Sequence, residues 1–149
     1  MNYSHTQRGP IWLILVLFSA TGFITAWNVR DQVPLAVALA CFGGGMLFLA
    51  LCFATLTVRD EGHCLAICFG PLPIFSKRLA YESITQAKPA RSALIDGWGI
   101  HYIPGRGWTW NLWGWSCVKM KVNGRTIRVG SDDAENLARF IQTKMAAMA

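Results

Sequence analysis

The sequence predicts a two-span transmembrane α-hairpin followed by an α+β domain of about seven antiparallel strands, a bent, partly open barrel capped by a C-terminal helix. Three observations predict it. Ile11 to Val29 and Val33 to Val58 contain no charged side chain, and a helix crossing the hydrocarbon core needs about 20 apolar residues. From Thr57 onward the chain alternates short apolar runs with turn residues. The C-terminal segment carries apolar residues at helical spacing. The hairpin takes residues 1–56, with spans at about 11–29 and 34–56, and the domain takes residues 57–149.

The first span is bracketed by Trp12 and Trp27, whose amphipathic rings favour the headgroup level. Its length, and the second span behind it, mark a retained anchor rather than a cleaved signal peptide. Pro34 suits the first turn of the second span. Small residues at four-residue steps, Ala36, Ala40 and Gly44 on the second span with Gly22 and Ala26 on the first, let helix backbones approach closely in lipid. These five are the expected packing positions. The two helices pack on each other as a hairpin, or the Gly43-Gly44-Gly45 face docks a partner's helix.

Beyond the spans almost no linker remains. Thr57-Val58-Arg59 reads as a strand and Asp60-Glu61-Gly62 as a tight turn, so the domain sits hard against the bilayer. His63–Phe69 is strand-like and ends at Gly70-Pro71; Phe75–Ala80 and Ile84–Lys88 are shorter candidates. Trp98–Tyr102 leads into the turn Pro104-Gly105-Arg106-Gly107, and Trp108–Leu112 and Trp115–Val122 follow. Asn123-Gly124 is a strong two-residue hairpin signal, completed by Arg125–Gly130. Val118, Met120 and Val122 alternate with Lys119 and Lys121, and Ile127 and Val129 with Thr126 and Arg128, which predicts one buried and one wet face. Asp132 with Glu135 three residues on reads as a capping box, opening a helix with an apolar stripe at Ala134, Leu137, Ile141 and Met145.

Charge sets the expected orientation. Of fourteen Lys and Arg, Arg8 precedes the first span, Arg30 lies between the spans, and the other twelve follow the second. By the positive-inside rule the loop Asn28–Pro34 is external and both termini are cytoplasmic, the expected orientation of a multi-pass membrane protein. Cys41, Cys52, Cys64, Cys68 and Cys117 are then free thiols.

A family resemblance rests on Gly97-Trp98-Gly99-Ile100, on Gly105-Arg106-Gly107-Trp108-Thr109-Trp110-Asn111, and on Gly124-Arg125-Thr126-Ile127-Arg128-Val129-Gly130-Ser131-Asp132-Asp133 leading into Ala134-Glu135-Asn136-Leu137. Gly114, Val118, the opening Val58-x-x-x-Gly62 and the strand ending Phe69-Gly70 fit the same pattern. Residues 57–145 thereby resemble the small membrane-anchored domains of the bacterial pleckstrin-homology-like (PH-like) family. The resemblance implies a non-enzymatic platform, since the fold hosts many binding functions. Relatives that bind phosphoinositides carry a basic cluster between the first two strands; here that turn is the acidic Asp60-Glu61-Gly62, and inositol-phosphate binding is not transferred.

Four of the seven tryptophans lie between Trp108 and Trp115. Core packing explains such a cluster, and so does a foot in headgroups or an aromatic patch for a partner. Trp108 and Trp110 share a strand face beside Arg106, and all three are the expected partner or headgroup contact residues. The recurring Lys and Arg make a solvated strand face or attract anionic lipid headgroups; their scatter disfavours nucleic acid. Cys64 and Cys68 are too far apart along a strand to share a metal ion. No nucleophile with a neighbouring base and no phosphate-cradling loop is legible, so no cofactor or catalytic residue is expected. The sequence thus reads as a non-catalytic membrane-anchored binding and assembly module, an accessory subunit or scaffold of a larger complex with another integral membrane protein. The rival readings are a sensor of anionic lipid headgroups and a cryptic thiol-redox enzyme acting through Cys64 and Cys68.

Overall fold

The computed structural model describes residues 2–148. It opens with a strand the sequence reading did not anticipate, β1 (Ser4–Arg8), followed by the helices α1 (Ile11–Asn28) and α2 (Val33–Cys52). Then come β2 (Thr55–Asp60), β3 (Cys64–Gly70), β4 (Ser76–Ala80), β5 (Ile84–Arg91), β6 (Gly99–Ile103), β7 (Gly107–Asn111), β8 (Ser116–Val122), β9 (Arg125–Gly130) and α3 (Ala134–Ala146). Two apolar N-terminal helices thus precede a sheet-rich domain with a C-terminal helix.

At 18 and 20 residues and about 1.5 Å per residue, α1 and α2 are about 27 and 30 Å long, the thickness of a hydrocarbon core. Both are long and apolar enough to cross a membrane. The second ends four residues earlier than expected, because Leu56 belongs to the domain core, where it is fully buried. The contact face of the pair runs through Ser19, Gly22 and Ala26 on α1 and Gly43 and Ala50 on α2. A Cβ on Gly22 would stand 3.0 Å from the Gly43 Cα, so the backbones touch there. Gly44, expected at this seam, has open space around it. Seven residues past Ala36 complete almost two turns and return to its face at Gly43; the eighth swings about 80° away.

The strands form two open sheets, ordered β1-β2-β3-β4 and β5-β8-β9-β7-β6. All pairs are antiparallel except β7 with β9, which run parallel in the register Trp108↔Ile127 to Trp110↔Val129. The structure therefore departs from about seven antiparallel strands both in number and in this pair. Leu56, Leu65, Ile67 and Phe69 of the first sheet face Trp110, Leu112, Val118, Met120 and Val129 of the second, and Leu137 and Ile141 of α3 complete the core. The β8–β9 hairpin turns at Asn123-Gly124, both with positive φ, as its sequence requires.

β1 pairs with β2 from Ser4↔Arg59 to Arg8↔Thr55, so residues before the two helices complete the sheet that follows them. Tyr3 stacks on Phe140 at 5.3 Å and donates its hydroxyl to Asp133 at 3.1 Å. Buried Gln7 donates to the Trp113 carbonyl at 2.8 Å. A Cβ on Gly9 would lie 2.8 Å from that of Trp113, so the entry to α1 is pressed onto the domain. These contacts also replace the capping box expected at α3: His5 takes Asp132, Tyr3 takes Asp133, and the Ser131 hydroxyl accepts the Asp133 N–H at 3.1 Å.

Candidate functional site

The free outer edge of β4 borders a groove on the open side of the two sheets. Phe75, Lys77 and Leu79 alternate along one face of the chain, and Leu79 is buried while Lys77 is half-buried. The Lys77 ammonium lies 5.9 Å from the Trp108 ring and 5.8 Å from the Trp110 ring, within cation–π range of both. Leu79, Val122 and Ile127 provide apolar walls, and Arg78, Glu82 and Arg125 stand at the rim of a hollow of about 830 Å³. A second hollow of about 550 Å³ opens on the other side of Trp108 and Arg125, toward Tyr102 and Arg106.

The charges of the groove divide into engaged and free. Arg78 donates to Glu61 at 2.7 Å, and Arg59 joins the same carboxylate at 2.7 Å. The hydrogen bonds from Arg78 and then Arg59 lower the Glu61 carboxyl to about 2. Asp60 beside it is held low: burial opposes its charge, but hydrogen bonds from Lys144 and Tyr81 outweigh that. The acidic turn is thus consumed internally. Lys77 and Arg125 enter no ion pair among the described residues.

Arg106, expected to meet a partner, makes a two-pronged pair with Asp96 at 2.6 Å on each arm. Asp96 is fully buried and also accepts the Ala93 N–H at 2.6 Å; the Arg106 hydrogen bonds lower its carboxyl to about 2. Arg128, expected on a wet face, is buried and donates to the Arg106 carbonyl. Arg106 therefore ties the segment around Asp96 to the β6–β7 turn, and its side chain only borders the groove. On the polar face of β7, Thr109 and Asn111 are fully buried.

The three expected contact residues separate. Trp108 is 38% exposed and packs at 5.7 Å on Tyr102. Trp110 is 8% exposed, with its ring 6.1 Å from Phe69 across the core, so it is a core residue and not a contact surface. Lys77, Tyr102 and Arg125 were missed as groove residues. The signal for Lys77 was present: a lysine alternating with Phe75 and Leu79 on an otherwise apolar strand face.

No known protein family and no characterised protein matches this chain.

The thiols carry little chemical promise. Burial, with Glu61 beside it, pushes the Cys64 thiol up, and burial does the same to Cys117, the opposite of what activates a cysteine. Among the described residues no three His, Cys, Asp or Glu side chains are grouped to hold a metal ion. The arrangement offers an apolar-floored groove with two unpaired cations and an unpaired strand edge, which is chemistry for binding.

Proposed function

We propose that the protein is a non-catalytic binding and assembly module, anchored in the bacterial inner membrane by two spans, whose PH-like domain docks an extended acidic segment of another integral membrane protein. The observation that carries this reading is the unpaired β4 edge beside Lys77, Trp108 and Arg125. An incoming strand gains main-chain hydrogen bonds along such an edge, its carboxylates meet the two free cations, and the Trp108 ring supplies an aromatic contact. The PH-like assignment is supported by two open sheets meeting at the corner Tyr81–Ser83, with a helix at the C-terminus. The strand ahead of the two helices and the parallel β7–β9 pair are not part of what the resemblance implied. The pairing of β1 with β2 favours both termini on one side of the membrane, and the positive-inside rule makes that side the cytoplasm.

The test uses full-length protein in cells, with a photocrosslinking residue in place of Glu82 at the groove rim. The expected adduct is to an integral membrane protein, mapping to an Asp- and Glu-rich extended segment, and it disappears when Lys77→Glu and Arg125→Glu are combined. Adducts to phospholipid alone, with salt-sensitive vesicle binding lost in the same double variant, would replace this reading by headgroup sensing. Adducts that persist in the charge-reversed variant would remove the groove from the account.

A further inference from the structure

The side of the domain that meets the helices carries more exposed apolar surface than its strand pattern needs. Leu72 and Ile74, in the loop from β3 to β4, are 37% and 57% exposed. The Leu72 N–H donates to the carbonyl of Leu51 in the last turn of α2 at 3.3 Å, so this loop lies level with the end of that helix. Beside the start of α1, Trp98 shares a hollow of about 220 Å³ with Ile11, Leu15, Leu49 and Phe53. Trp98 stacks on Trp113 at 4.2 Å and has Trp115 at 6.3 Å, yet Trp98 and Trp115 stay 43% and 40% exposed, and Ile95 nearby is 68% exposed. One patch thus touches the end of α2, and the other borders both helices through Ile11 and Leu15 of α1 and Leu49 of α2. At the same ends of the helices Leu51 of α2 and Trp12 and Leu13 of α1 are exposed apolar residues.

We infer that this face of the domain is seated in the headgroup and upper acyl layer of the bilayer crossed by α1 and α2, with phospholipid as its occupant. Indole rings with one polar edge favour that depth, and two isoleucines and a leucine exposed at the same level gain by leaving water. Arg8, the last residue of β1, and Arg91, paired in register with Ser116 beside Trp115, are exposed at the margin of the patches, where cations favour anionic headgroups. The domain is then a partly immersed body rather than a tethered one, which fixes the height and direction of the β4 groove. The inference rests on reading the two helices as spans.

The test reconstitutes the purified full-length protein alone into vesicles of zwitterionic and anionic phospholipid, doped with a lipid bearing a photoactivated diazirine near the glycerol end of its acyl chain. Adducts are mapped by mass spectrometry. Labelling at Leu72–Ile74 and Ile95–Trp98 comparable to that at Trp12 and Leu51, with none at Tyr102 or Trp108, supports the seat; Tyr102 lies about 10 Å further along its strand than Gly99 at the hollow. Labelling at Trp12 and Leu51 with none at the two patches overturns the seat and leaves the spans intact. Equal labelling of the patches and Trp108 overturns it as well. Absence of label at Trp12 and Leu51 removes the spanning reading and the seat together.

Discussion

Two tryptophans two residues apart do different work because only one of them reaches the opposite sheet. Trp110 sits against Phe69 in the core, while Trp108 stands at the groove beside Tyr102. Truncating a buried Trp costs about 3–5 kcal/mol. Trp110→Ala is therefore expected to lower unfolding stability by that amount in denaturant titrations of the full-length protein in detergent, and Trp108→Ala by about 1 kcal/mol or less, as for a surface ring. Equal losses for the two would mean that the partition into core and groove is wrong. Asp96 gives a second expectation. Its carboxyl is lower in the folded chain, at about 2, than in the unfolded one. Its contribution is thus complete above about pH 5 and fades as the pH falls toward 2. Asp96→Asn should lower Tm by several degrees at pH 7, and the difference from the parent should shrink as the pH is brought down through that window. A constant difference across the window would detach the Arg106 pair from stability.

At the scale of elements, the helix pair is decided by a seven-residue repeat of small residues rather than a four-residue one. A side chain at Gly43 collides with α1, since its Cβ would stand 3.0 Å from the Ser19 carbonyl oxygen, whereas Gly44 faces open space. Gly43→Leu is expected to splay the hairpin and reduce the yield of folded protein in mild detergent, and Gly44→Leu to leave it unchanged. If Gly44→Leu proves the more damaging, that face packs on another protein. The same contrast between local pattern and tertiary partner holds at α3. Its apolar stripe through Leu137 and Ile141 is buried as its spacing demands, but its first turn is bonded by Tyr3 and His5 from the far end of the chain.

For the whole molecule, the consequential fact is that the first sheet straddles the two apolar helices in sequence. Residues 57–149 alone lack β1, and a fragment starting there exposes the edge of β2 and the Tyr3 site on Phe140. The proposed orientation follows from this closure and from charge. A membrane-impermeant maleimide applied to intact cells should label Asp31→Cys, in the loop between the helices, and spare the exposed domain position Gln86→Cys. Labelling at Gln86→Cys with none at Asp31→Cys would invert the topology and would place the groove on the other side of the membrane.

Much of the architecture was legible in the sequence because it is written in local periods. Charge-free runs of membrane-spanning length marked α1 and α2. Alternation marked β8 and β9, down to the burial of Val118, Met120, Ile127 and Val129, and Asn123-Gly124 marked their turn. The fate of isolated residues was decided only in three dimensions. Ser4–Arg8 is a short polar strand with no apolar alternation of its own; its partner lies about fifty residues on, beyond both helices. Arg106 read as a contact residue and Arg128 as a solvated cation, until Asp96, buried in the 3-10 turn Leu94–Asp96, claims the first and the Arg106 carbonyl takes the second. The groove joins β4, β7 and β9, whose adjacency no repeat in the chain encodes. Periodicity reports which face of an element turns inward, whereas a binding surface depends on which elements are brought side by side, and that is set by how the two sheets close around a shared core.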